Sequence, residues 1–147
     1  MAPEDARFRF RPRLRALALG VIALGAAVVG YGALHGNVGL ALGAAYLASP
    51  TWRLTVVIDA DGLEVVGGQR RRFRLAWGDV VRVTASPTTT TCFVDGGAPE
   101  RSLLVPGDGA PAPYDLEGKA ALYAAIIARV PADRIHQVGR LDDAPAA

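Results

Sequence analysis

The sequence predicts an α+β chain. An N-terminal transmembrane helical hairpin comes first, then a bent antiparallel β sheet, and one C-terminal helix caps the sheet. Three observations predict it. Ala16 to Thr51 runs 36 residues without Asp, Glu, Lys or Arg. Between Arg53 and Val105, short β-type runs, alternating or rich in β-branched residues, are separated by turn residues, the signature of consecutive antiparallel strands. From Leu116 to Val130 the apolar period lengthens to that of an amphipathic helix.

The uncharged stretch divides at His35-Gly36-Asn37, which supplies turn chemistry. Ala16 to Leu34, as a helix, would be about 28 Å long, close to the ~30 Å of a hydrocarbon core. Val38 to Ser49 is shorter and marginal as a span, and Ser49-Pro50 ends it because proline disfavours the α region in the residue before it. Gly32 and Gly36, then Gly39 and Gly43, stand four apart, and this spacing lets helix backbones approach closely. It serves packing of the two helices on each other, with a homodimer as its second use. Arg7, Arg9, Arg11, Arg13 and Arg15 precede the stretch and Arg53 follows it, so the positive-inside rule places both chain ends in the cytoplasm of a multi-pass inner (plasma) membrane protein. Arg11, Arg13, Arg15, Trp52 and Arg53 are then the membrane-interface residues, with lipid bilayer as their partner. A cleaved signal peptide fits less well, because its apolar core is shorter. A single span would put the β region across the membrane from the arginines, and a buried soluble hairpin lacks a polar face.

The segments that follow are residues 1–13 (basic N terminus), 14–50 (hairpin), 51–132 (β domain with its helix) and 133–147 (fraying tail). Arg53 to Ala60 alternates, with Leu54, Val56 and Ile58 on one face. Asp61-Gly62 marks a tight turn, and Leu63 to Val66 returns. Arg70 to Ala76 places Arg70, Arg72 and Arg74 on one face. Trp77-Gly78-Asp79 is a corner, and Val80–Ala85, Thr88–Val94 and Arg101–Val105 complete six strands. Pro106 to Pro113 is loop. Asp115 is placed to cap the final helix, Ile127 to face the sheet, and Pro131 to follow the end.

The strand with Asp61-Gly62-Leu63, the arginine-rich strand leading into Trp77-Gly78-Asp79-Val80, and the closing helix Leu116–Val130 together resemble a group of small bacterial membrane proteins. In these a two-helix hairpin precedes a bacterial pleckstrin-homology-like domain. The resemblance runs from Leu14 to about Ile135. It implies a strongly bent sheet of about seven strands under a C-terminal helix, and a role as a binding or assembly scaffold. Eukaryotic relatives that bind phosphoinositides use a basic first hairpin. Here that turn, Asp59-Ala60-Asp61-Gly62, is acidic.

Charge and motifs narrow the chemistry. The pI near 9.0 comes from the N-terminal arginines, because after Thr51 there are 11 Lys/Arg and 12 Asp/Glu. A nucleic-acid partner is not expected from that distribution. Cys92 is the single cysteine, which excludes an intrachain disulfide and a cysteine-rich zinc site. His35 and His136 are expected on opposite sides of the membrane, so no metal site and no cofactor follow. No nucleophile elbow, phosphate loop or dinucleotide fingerprint occurs. The expected function is therefore non-enzymatic: a membrane-anchored binding or scaffold module with a protein partner. The binding candidates are Arg70, Arg72 and Arg74, whose plainer use is a solvated strand that resists edge pairing. The alternative is a small accessory enzyme or transport component at the membrane.

Overall fold

The computed structural model describes residues 6–31, 36–68, 70–110 and 112–141. The first element of the described residues is a strand, not a helix. Ala6–Pro12 forms β1, whose alternation sends Phe8 and Phe10 into the core and leaves Arg7, Arg9 and Arg11 exposed. Helices α1 (Arg15–Gly30) and α2 (Gly36–Leu47) follow, and a short 3-10 turn over Pro50–Arg53 leads into β2 (Leu54–Ile58). β1 and β2 pair antiparallel, Phe8 opposite Val56 and Arg9 opposite Thr55. The helix pair is thus an excursion between two neighbouring strands of one sheet.

β3 (Gly62–Gly67) and β4 (Arg70–Ala76) extend that sheet, and β8 (Tyr114–Leu116) closes its far side, giving the order β4-β3-β2-β1-β8. The second sheet comprises β5 (Arg82–Ser86), β6 (Thr91–Asp95), β7 (Leu103–Val105) and β9 (Ile135–Gln137), in the order β7-β6-β5-β9. β9 runs parallel to β5. The Ser86 hydroxyl donates to the Gly139 carbonyl at 2.7 Å, which ties the segment after β9 to the same strand. Helix α3 (Lys119–Arg129) starts after Gly118, at φ +66°, where a residue without Cβ turns the chain without strain. Asp115 lies in β8 instead of capping the helix, and its carboxylate accepts the Leu116 N–H at 2.9 Å.

The core lies between the inner faces of the sheets and α3. Val56, Ile58, Leu63, Leu75, Val83, Val94 and Val105 are fully buried there with Leu122 and Ile126 of the helix. Ile127, expected to face inward, is only half-buried at the rim. Trp77 sits at the corner after β4, its ring in the core and its indole N–H donating to the Asp59 carbonyl at 3.3 Å. Cys92 is enclosed, and burial pushes its thiol up to about 12.

Five expectations are corrected. Among the described residues no helix is long and apolar enough to cross a membrane: α1 spans 16 residues and α2 12. The transmembrane hairpin is therefore not supported. The multi-pass inner-membrane localisation that depended on it falls with it. The helices are also not N-terminal, since β1 precedes them and is a full partner in the first sheet. The fold class changes accordingly. It is an α+β arrangement with two sheets, one of them containing a parallel pair, in place of one bent antiparallel sheet behind a membrane anchor. In place of a topology signal, the arginine run alternates with Phe8 and Phe10 in the pattern of a half-buried strand.

α1 and α2 pack closely all the same. A Cβ on Gly39 would stand 3.4 Å from the Val21 carbonyl oxygen, and one on Gly43 only 2.5 Å from Ile22 Cγ1 and 3.0 Å from the Ala18 carbonyl oxygen. Gly36 opens α2, while Gly32 and His35 lie outside the described residues. The outward faces leave Leu17, Leu24, Val38 and Leu42 exposed.

Candidate functional site: an arginine-lined sheet face

The outer face of the first sheet is built by register. Arg7 of β1 stands opposite Val57 of β2, Val57 opposite Glu64 of β3, and Glu64 opposite Arg74 of β4. The next row is Arg9, Thr55, Val66 and Arg71. All of these except Arg71, with Arg53, Asp59 and Glu117, line an open depression of about 550 Å³.

The acids of this face are engaged. Glu64 accepts from Arg71 Nε at 2.6 Å and from Arg74 Nη1 at 3.3 Å. Asp59 Oδ2 meets Arg74 Nη2 at 2.9 Å, while Asp59 Oδ1 accepts the N–H groups of Asp61 and Gly62 at 2.9 and 2.8 Å. Partial burial would raise the Asp59 pKa. The two backbone donors and the Arg74 guanidinium outweigh that and hold it below the usual aspartate range. Glu117 is paired with Arg11. Arg7, Arg9 and Arg53 are exposed, and none of the three has an ion pair among the described residues. The face therefore carries uncompensated positive charge beside Thr55 and Val57.

A second depression, also about 550 Å³, lies at the turn between β3 and β4, next to the 3-10 turn that leads into β2. Arg53, Arg70, Arg71 and Arg72 line it with Pro50, Leu54, Gly67 and Gly68, and no acidic residue lines it among those described. Its shape depends on a β-bulge. Val65 faces Phe73 and Val66 faces Arg71, so Arg72 is the extra residue on β4. Arg53 lines both depressions.

The sequence-predicted binding residues are thereby separated. Strict alternation would put Arg70, Arg72 and Arg74 on one face. The bulge shifts the phase, so Arg71 joins Arg74 around Glu64 while Arg70 and Arg72 line the second depression. Of the residues assigned to a membrane interface, Arg11, Arg13 and Trp52 make contacts within the fold. Arg11 pairs with Glu117, and Arg13 Nη1 donates to the Ala110 carbonyl at 2.6 Å. Trp52 Nε1 donates to the Tyr46 carbonyl at 2.6 Å, with its ring edge-on to Tyr46 at 5.1 Å. Arg15 is the first residue of α1 and is exposed. Arg7 and Arg9 were missed as site residues, although the Arg-Phe-Arg-Phe-Arg alternation was the available signal. Among the described residues no group of three His, Cys, Asp or Glu is placed to hold a metal ion.

No protein-family model, curated protein or solved structure matches this chain. The resemblance to small bacterial membrane proteins with a pleckstrin-homology-like domain thus finds no support, and the lack of a membrane-spanning helix among the described residues contradicts its first half.

Proposed function

We propose that the chain is a non-enzymatic binding module that holds an acidic protein partner against the outer face of its first sheet. One observation carries the reading. Arg7, Arg9 and Arg53 project from this face without acidic partners among the described residues, while Asp59, Glu64 and Glu117 are already engaged. Guanidinium groups are suited to bidentate pairing with carboxylates, and β1 repeats them at the two-residue spacing of a strand, roughly 6.6–6.8 Å.

A labelled Glu-rich peptide, titrated with the full chain and followed by fluorescence anisotropy, tests this. Binding is expected to weaken steeply as salt is raised, to be absent for a Lys-rich peptide, and to be lost in Arg7→Gln/Arg9→Gln. Both side chains are exposed, so circular dichroism of the variant should match the parent. Equal binding by parent and variant would overturn the reading.

A further inference from the structure

We infer that the acidic partner carries a phosphorylated side chain, and that this phosphate seats in the depression formed by Arg53, Arg70, Arg71 and Arg72. The inference rests on the binding role proposed above and adds the chemistry of the ligand.

The two depressions differ in charge balance. The outer face mixes arginines with Asp59, Glu64 and Glu117. The β3–β4 depression has four arginines and, among the described residues, no carboxylate in its lining. Arg71 shares its charge with Glu64, which lies on the neighbouring face. Arg53, Arg70 and Arg72 have no ion pair among the described residues. A single carboxylate would leave most of this charge uncompensated. A phosphomonoester brings about −1.5 to −2 charge and three acceptor oxygens, which suits several guanidinium donors supplied by β4 and by the 3-10 turn before β2.

Backbone geometry keeps the place open. Gly68, at φ +64°, forms the turn, and a Cβ there would meet nothing within 4 Å. The bulge at Arg72 prevents β4 from turning alternate arginines away from the turn. Arg53 lines both depressions, so a strand of partner running over the outer face reaches the second one without a gap.

Free phosphate and a phosphorylated side chain share this chemistry, and the experiment separates them. The full chain is titrated calorimetrically with inorganic phosphate, with a Glu-rich peptide carrying one phosphoserine, and with the same peptide carrying serine. The phosphopeptide is expected to bind roughly tenfold more tightly than the serine peptide, and inorganic phosphate far more weakly than either. Arg70→Gln/Arg72→Gln should abolish the phosphoserine preference, so that the two peptides bind the variant alike. These side chains are exposed, and the substitutions leave the Arg71–Glu64–Arg74–Asp59 network in place. Equal affinity for the two peptides, or a preference that survives the double substitution, would overturn the inference while leaving the acidic-partner reading intact. Tighter binding of inorganic phosphate than of the phosphopeptide would also overturn it and assign the depression to the free ion. Loss of serine-peptide binding in Arg7→Gln/Arg9→Gln bears on the acidic-partner reading alone.

Discussion

The Tyr46 hydroxyl, near the C-terminal end of α2, donates to the Pro113 carbonyl at 2.7 Å. It also accepts the Leu14 N–H at 2.9 Å, at the point where the chain leaves β1 for α1. One side chain therefore ties together both ends of the helical excursion and the loop before β8. Tyr46→Phe keeps the ring against Trp52 and removes both bonds. It should lower stability by about 1 kcal/mol, a drop of about 2–4 °C in the thermal midpoint. Replacing Tyr31, which is 94% exposed, by Phe should leave the midpoint in place. Equal melts for the two variants would show that the hydroxyl ties nothing.

Glycines on the helix pair form a graded series. Gly43→Ala places a methyl group against Ile22 and the Ala18 carbonyl and should cost about 1–3 kcal/mol through overpacking. Gly39→Ala meets ordinary contact distances and should be tolerated. Gly20→Ala has open space and should stabilise the helix by about 0.5–1 kcal/mol. Thermal melts of the three variants should fall in that order. A neutral Gly43→Ala would show that α1 and α2 are not in close contact.

Asp59 makes stability depend on acid. Its folded pKa lies below that of an unfolded aspartate, so the folded form binds its proton less readily. The contribution is then complete above the ordinary value of about 3.9 and is lost as pH falls through the lower folded value. Asp59→Asn should lower stability at neutral pH and flatten the acid limb of a denaturation profile. Parallel acid limbs for variant and parent would show that Asp59 is not the group responsible.

Cys92 should be inert in the folded chain. It is fully buried, and burial raises its pKa to about 12, so almost no thiolate forms near neutrality. An aromatic disulfide reagent should label it slowly in buffer and rapidly in denaturant. Rapid labelling in buffer would mean that the sheet around β6 opens readily.

The strands were legible where one face is buried and the other wet. Leu54–Ile58 shows period two because Leu54, Val56 and Ile58 alone face the core, and Asp61-Gly62 announces the turn that follows. β1 obeys the same rule but was hidden by its arginines, whose charge and place before an apolar stretch suggested topology. β8 and β9 have three residues each, too short to show a period, and both are held by partners distant in sequence. The closing helix was visible from its spacing, yet its start was misplaced because Asp115 pairs in a strand and Gly118 turns the chain. Of the site, Arg53, Arg70, Arg72 and Arg74 were visible as charge. Their division between two depressions was not, because it depends on a bulge that no single residue type marks.

The insertion of α1 and α2 between paired strands makes them a modular joint. The chain leaves the sheet after Pro12 and returns at Leu54, and the paired residues Arg9 and Thr55 already stand side by side. Closing a chain over such a gap depends only weakly on how much chain is looped out. The helical part of the excursion, up to the 3-10 turn that carries Arg53, can therefore lengthen or shorten at small cost to the register of β1 against β2. Selection on the helices and selection on the arginine face then act on separable parts of one polypeptide, joined at the Tyr46–Pro113 contact.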